Sequence, residues 1–205
     1  MGTESFRKGG FTFVGNRPYL RLDEEMAQID KEEADRAFQK YKKEIIDQLL
    51  LRQGFSKWKS SAYVRLNQIG LLEFINLQKE QYGSKTFCVN FAAMPLYCGY
   101  SYPVLSLGDR LGAYISGKDV WWDYCNERIA VQSFQNVAEA ISKFVFPWFL
   151  NLDSENGYRK ALAELMESRP EIAEKWLEAL DVVEDKERLI RISIDQLKLP
   201  KKLLR

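Results

Sequence analysis

The chain has 205 residues, of which 46% are hydrophobic and 29% are charged, a composition typical of globular proteins and unlike that of disordered or fibrous ones. Its 30 basic and 29 acidic residues leave a formal charge of +1, so no overall field attracts nucleic acid or an anionic membrane. The chain contains no histidine, which excludes Ser-His-Asp and Cys-His catalysis, HExxH zinc sites and histidine proton shuttles.

The N-terminal segment carries only a weak structural pattern. Slight alternation over residues 11–14, followed by the turn formers Gly15 and Pro18, predicts a short hairpin or an ordered arm over residues 1–30. This polar segment has no signal-peptide character, and the three cysteines show no CxxC spacing. We therefore expect a cytoplasmic protein with buried, inert thiols.

A long first helix is predicted from its capping residues and its periodicity. Asp30 and Glu33 have the spacing of a capping pair, and apolar residues recur at helical intervals from Phe38 to Leu49. Gly54 then provides a natural C-cap. These signals predict a helix over residues 31–53.

Three segments of β character follow the helix, with connections short enough for hairpins, over residues 62–67, 71–78 and 86–93. They predict an antiparallel meander. In the third segment Phe87, Val89 and Phe91 alternate with smaller side chains, a pattern typical of a sheet with one fully apolar face. We expect the first helix to cover that face.

The next part of the chain is harder to assign, because glycine, proline and tyrosine interrupt residues 94–118. We predict a fourth strand over residues 110–115 and a short edge strand over residues 128–132. A helix should then begin at Ser133, with its apolar residues at helical spacing, and be kinked or ended by Pro147.

The last third of the chain reads as three amphipathic helices, over residues 158–167, 170–180 and 186–197. The polar loop at residues 153–157 is the best candidate for a domain boundary.

The predicted fold class is α+β. An antiparallel sheet of four or five strands is packed by the helices at residues 31–53 and 133–150, within a core domain over residues 31–152. A helical C-terminal extension over residues 153–205 is expected to pack on this core.

Six short motifs follow one another at residues 53–55, 74–79, 87–90, 110–112, 121–122 and 146–149. They consist mostly of aromatic, glycine and amide residues, which are typical of cores and turns. In this order and spacing they resemble the bacterial domain-of-unknown-function family 4304, over about residues 34–152. The resemblance implies an α+β fold without an established activity. Some such small bacterial proteins resemble members of toxin–immunity neighbourhoods, which is an association and not a mechanism.

The candidate site residues lie in and after the tyrosine-rich stretch: Tyr97, Tyr100, Tyr102, Arg110, Trp121 and Trp122. Tryptophan, tyrosine and arginine are enriched at interface hot spots. Because Trp121 and Trp122 are adjacent, they must point in different directions, one into the core and the other outward as an anchor. The leading interpretation is a protein-interaction module, of the immunity or regulatory type, with a protein partner.

Two other interpretations of the same stretch stay open. One is a small-ligand-binding protein or an enzyme that works without histidine. Its pocket would lie between the sheet and the loop at residues 94–118, and Arg110 would hold an anionic or amide-bearing molecule there. Alternatively the tyrosines fill the end of the sheet, and Arg110 pairs with Asp109 or Asp119. A deep site with a buried carboxylate favours a ligand, whereas a flat aromatic patch favours a partner.

No catalytic residue, metal site or cofactor is predicted. The carboxylates of Asp109, Asp119, Asp123 and Glu127 match no metal-binding loop. The longest apolar stretch, residues 144–150, is too short to span a membrane. The basic C-terminal tail is expected to be solubilising, so nucleic-acid binding is the least favoured function, and the C-terminal helices offer a contact for a homodimer.

Overall fold

A computed structural model describes residues 31–182 and 184–204 of the protein, so the arm or hairpin predicted over residues 1–30 lies outside the described residues. The helices are α1 (Lys31–Tyr41), α2 (Gln48–Arg52), α3 (Leu111–Ser116), α4 (Glu127–Ala140), α5 (Phe146–Leu152), α6 (Glu155–Met166), α7 (Pro170–Val182) and α8 (Lys186–Gln196). The strands are β1 (Ser56–Lys59), β2 (Ala62–Leu66), β3 (Leu71–Lys79), β4 (Thr86–Pro95), β5 (Leu107–Arg110) and β6 (Trp122–Asp123).

The described residues also include four short helical segments of other types. The π-helical turns Lys42–Asp47 and Ile141–Val145 join α1 to α2 and α4 to α5. Two 3-10 turns, Leu96–Cys98 and Lys201–Leu204, follow β4 and α8. The long helix predicted over residues 31–53 is therefore present as one continuous helical rod with a π-helical turn inside it.

The strands form one antiparallel sheet in the order β1-β2-β3-β4-β5, and the two-residue β6 pairs with β4 on the same edge as β5. This confirms the predicted α+β fold and the predicted meander, which consists of β2, β3 and β4. Strand β1 was not predicted, because its four residues show no clear alternation and become a strand only through pairing with β2.

The first face of the sheet, which carries Phe87, Val89 and Phe91, is covered by α1, α2, α4 and α5. The Phe38 ring of α1 packs edge-on against Phe87 at 5.4 Å between centroids, and Phe134 of α4 stacks on Phe87 at 4.8 Å. Burial of each such ring contributes about 2–3 kcal/mol to the hydrophobic free energy of folding. The first helix therefore covers the apolar face as expected.

The second face of the sheet is covered over only part of its area. Helices α6, α7 and α8 pack on the apolar end of β3 and β4, where Leu72 and Met94 are paired across the strands and fully buried. Trp176 of α7 is also fully buried in this second cluster. Toward the other end of the same strands the side chains become polar, and this part of the face stays open.

The strand predicted over residues 110–115 is wrong. Strand β5 ends at Arg110, and the following residues form the short helix α3, which is followed by its C-cap Gly117 with a left-handed φ of 71°. Leu111 and Ile115 are four residues apart, which is the spacing of one helix face, and both pack in the first-face cluster. A helix of six residues has little stability alone, so packing rather than local propensity decides the structure here.

The edge strand predicted over residues 128–132 is also wrong, because α4 begins at Glu127. The Asn126 side chain accepts a hydrogen bond from the backbone N–H of Ile129 at 2.9 Å and so caps the helix. Ser133, the predicted helix start, is instead a buried residue inside α4.

Pro147 does not end the second long helix. It lies in the first turn of α5, and the π-helical turn Ile141–Val145 directly precedes α5.

The three C-terminal helices have nearly the predicted bounds. Ser154 caps α6, because its side chain accepts a hydrogen bond from the backbone N–H of Gly157 at 3.1 Å. Among residues 31–182 and 184–204, no helix is both long enough and apolar enough to cross a membrane.

Candidate functional site

One polar row of side chains crosses the open part of the second face. Successive strands pair Lys59 with Ala62, Ala62 with Asn76, Asn76 with Asn90, and Asn90 with Arg110, with a register shift in β1 just before Lys59. Residues that are directly paired in an antiparallel sheet lie on the same face. The row therefore places a cation at each edge and two carboxamides between them, over four inter-strand spacings or roughly 19 Å.

The adjacent row is apolar and flat, because Phe74 pairs with Ala92 and Ala92 pairs with Gly108. Gly108 has a φ of +149°, and a Cβ atom at this position would lie 2.2 Å from the backbone oxygen of Phe91. Only glycine lets β5 approach β4 this closely.

A wall of apolar side chains rises beside these two rows. It comes from the connection between β4 and β5, where Leu105 is 39% exposed and Pro103 lies close by. Two adjoining depressions, of about 410 and 520 Å³, share Phe74, Asn76 and Leu105. Together they form one elongated cleft, which we call the sheet groove, lined chiefly by Trp58, Lys59, Phe74, Asn76, Gln78, Asn90, Leu105 and Arg110.

The Arg110 end of the sheet groove already holds a carboxylate. The Arg110 guanidinium forms an ion pair with Asp119, and the indole N–H of Trp121 donates to the same Asp119 oxygen at 3.2 Å. The guanidinium also lies over the Trp121 ring, 5.3 Å from its centroid. Both charged side chains of this pair are more than a third exposed, so this is a surface anion site.

The Lys59 end of the groove is built in a similar way. The ammonium group of Lys59 lies 4.5 Å from the centroid of the Trp58 ring. That ring packs edge-on against Phe74 at 6.2 Å, which joins it to the apolar row. Each end of the sheet groove therefore consists of a cation held over a tryptophan.

The centre of the groove is made of uncharged polar groups. The Asn90 side chain donates to the Gln78 carbonyl at 3.1 Å, whereas the carboxamide of Asn76 has no hydrogen-bond partner among the described residues. Cys88 lies in the next row, paired with Gln78. Burial raises the pKa of the Cys88 thiol and nearby Arg110 opposes the change, so the thiol stays protonated at neutral pH.

Two of the predicted site residues are buried in the two hydrophobic clusters. Tyr97 is 1% exposed and belongs to the second-face cluster. Trp122 is 6% exposed and packs beside Phe87 in the first-face cluster, at 6.2 Å. The half-buried Trp121 points the other way, as expected for one of two adjacent tryptophans.

Tyr100 and Tyr102 form a separate patch. Their rings are 6.2 Å apart, and the Tyr100 hydroxyl accepts a hydrogen bond from the indole N–H of Trp176 in α7 at 3.0 Å. Tyr102 is 64% exposed. Of the six predicted residues, the structure thus brings Arg110 and Trp121 together at one end of the sheet groove and places Tyr100 and Tyr102 on a neighbouring surface.

The remaining lining residues of the groove were not predicted as site residues: Trp58, Lys59, Phe74, Asn76, Gln78, Asn90 and Leu105. Asn76 and Gln78 occupy alternate positions of β3, and Cys88 and Asn90 do the same in β4. These polar residues at alternate positions indicate that the second face of the sheet is not fully apolar. The strand register, which the sequence does not reveal, was needed to align these residues with Arg110.

The described residues contain no group of three or more cysteine, aspartate or glutamate side chains that could hold a metal ion. The fully buried carboxylate in β3, Glu73, lies on the first face and forms an ion pair with Arg65 at 2.5 Å. The sheet groove is therefore shallow, open and lined by no buried carboxylate.

A family model described as Domain of unknown function (DUF4304) matches residues 46–151. The match runs from the end of the first helical rod to the end of α5, and it contains every residue of the sheet groove named above. No curated protein and no solved structure matches the chain significantly.

Proposed function

The chain belongs to the family Domain of unknown function (DUF4304), whose description states no activity, and we propose from the site itself that this protein binds another protein through the sheet groove. The observation that carries the proposal is the polar row from Lys59 to Arg110, which ends at both edges in a cation held over a tryptophan. Arginine and tryptophan are the side chains that most often supply binding energy at protein interfaces.

The shape of the groove supports a polypeptide rather than a small molecule. It is elongated and open along its length, whereas small-ligand sites enclose most of the surface of the molecule they bind. Tyr100 and Tyr102 lie on a neighbouring surface, where Tyr102 is 64% exposed, and extend the contact area beyond the groove. A segment of a partner chain can lie along such a cleft while the rest of the partner contacts these neighbours.

The runner-up is a small-ligand-binding protein or an enzyme that works without histidine. It is supported by position, because the groove lies between the sheet and the connection that contains Leu105, with Arg110 at one end. The carboxylate held at the Arg110 end of the groove, Asp119, is 44% exposed, unlike the desolvated carboxyl group of a typical general acid or base. The immunity or regulatory role stays a prediction within the partner-binding proposal.

Photo-cross-linking in the native host tests the proposal. A photoreactive amino acid placed at Leu105 faces the groove, and the same residue at Leu150, which is 69% exposed on α5, is the matched control. We expect one defined polypeptide to become attached at Leu105 and not at Leu150. Equal labelling at both positions, or no attached polypeptide, contradicts the proposal, and a small molecule attached at Leu105 favours the runner-up.

A further inference from the structure

We infer that the partner segment is extended, crosses the strands of the sheet, and carries two carboxylates about six residues apart. This inference rests on the proposed function and names the chemistry of the segment that the groove accepts. It follows from the spacing of the two cationic ends, from the carboxylate already held at one of them, and from the uncharged groups between them.

The spacing comes from the strand register. Lys59 and Arg110 lie at opposite ends of one cross-strand row, separated by four inter-strand spacings, or roughly 19 Å. An extended chain advances about 3.3 Å per residue, so six residues span roughly 20 Å. Because side chains of an extended chain alternate between its two sides, an even separation lets both carboxylates face the sheet.

Charge complementarity identifies the groups that bind at the two ends. Asp119 shows that the Arg110 guanidinium and the Trp121 indole N–H together hold a carboxylate. This ion pair is exposed to solvent, so it contributes little stability and a partner carboxylate can replace it. At the other end, Lys59 forms no ion pair with any of the described carboxylates, and its ammonium group lies over Trp58.

The centre of the groove suits the backbone between the two acidic residues. A carboxamide has two donor hydrogens and an acceptor oxygen, which match the C=O and N–H groups of a peptide. Asn76 has its full carboxamide available among the described residues, and Asn90 lies beside it in the same row. Phe74 and Leu105 provide an apolar floor and wall for small side chains.

Two synthetic peptides of the same composition test the inference with the full-length protein. Both are nine residues long, acetylated and amidated, and consist of serine and threonine with two glutamates. In one peptide the glutamates occupy positions 2 and 8, and in the other positions 4 and 6. We expect the first to bind about tenfold more tightly in fluorescence anisotropy at low salt, because only its carboxylates reach both ends.

Charge-neutralising variants connect that preference to the groove. Arg110→Gln and Lys59→Gln should each remove most of the preference for the widely spaced peptide, with folding checked by circular dichroism. Arg191→Gln, which removes an exposed charge on α8, is the matched control and should leave the preference unchanged. If Arg110→Gln fails to fold, the Lys59→Gln variant carries the test.

Equal affinities for the two peptides, binding of neither, or an equal effect of Arg191→Gln would overturn the inference. The cross-linking experiment at Leu105 keeps the two proposals separate. If a polypeptide is attached at Leu105 but the two peptides bind with equal affinity, the proposed function is retained and the spacing of the two carboxylates is rejected.

Discussion

Single residues determine the shape of the sheet groove, and Gly108 is the clearest case. A Cβ atom there would lie 2.2 Å from the Phe91 oxygen and 2.5 Å from the Ala92 Cα, so β5 cannot move aside without losing its pairing with β4. The floor of the groove is flat because this position has no side chain.

We expect Gly108→Ala to destabilise the protein by roughly 1–3 kcal/mol, since both a steric clash and an unfavourable φ are introduced. Urea unfolding followed by tryptophan fluorescence measures the change. Gly83→Ala is the control, because Gly83 also has a positive φ of +105° but a Cβ atom there meets nothing within 4 Å. An equal loss in both variants would show that the close approach of the strands is unimportant.

Glu73 gives a residue-scale prediction about pH. Burial raises its pKa to about 7, although Arg65 opposes this change. The folded state therefore binds this proton more tightly than the unfolded state, whose carboxyl group titrates near pH 4.5. The stability that this group contributes is complete below about pH 4.5 and falls as the pH rises toward 7, by about 3 kcal/mol.

Urea unfolding at several pH values between 4.5 and 7.5 measures this dependence. In the Glu73→Gln variant the side chain cannot titrate, so the midpoint should change less with pH than in the wild-type chain. Parallel pH profiles for the two proteins would contradict the raised pKa.

At the scale of elements, the helices and strands that were predicted correctly are those whose hydrophobic periodicity is complete within one segment. The helix around Phe38 and the strands around Ile75 and Val89 were predicted because their periodicity lies within one segment. The boundary between β5 and α3 was not, because Leu111 and Ile115 pack on the first-face cluster in a short helix that only this tertiary contact stabilises. Capping also overrides a weak strand pattern, as Asn126 does at the start of α4.

We expect Asn126→Ala to lower stability by about 1 kcal/mol, because the backbone N–H of Ile129 loses its capping acceptor. Thermal unfolding followed by circular dichroism measures the shift in melting temperature. Asn151→Ala, at an exposed position near the end of α5, removes the same side chain without a cap and should change stability by less than about 0.5 kcal/mol. Similar shifts in both variants would mean that the cap does not stabilise α4.

At the scale of the whole molecule, the sheet has one fully covered face and one half-covered face. The site could not be predicted as a unit from the sequence, since Lys59, Asn76, Asn90 and Arg110 become neighbours only through the register of four strand pairs. The open half of the second face also depends on where α6, α7 and α8 dock. Arg110 and Trp121 were predicted as site residues because arginine and tryptophan are enriched at binding interfaces, which can be used without knowledge of the fold.

The division into a core over residues 31–152 and a C-terminal extension stays a prediction, and truncation tests it. Removing residues 153–205 would expose Leu72 and Met94, which are now fully buried against the helical layer. We expect the truncated chain to aggregate and to lose cooperative unfolding, as judged by size-exclusion chromatography and urea titration. A monomeric truncated chain of unchanged stability would show that the core folds independently.

Binding of a partner through the sheet groove is the central claim, and the yield of the cross-link at Leu105 tests it most directly. The yield should be compared between the otherwise wild-type chain and an Asn76→Trp variant, whose added side chain fills the centre of the groove. We predict one polypeptide adduct that is lost in the filled variant while the variant stays folded. An adduct of equal yield in both chains would contradict the account, because the partner would then bind outside the groove.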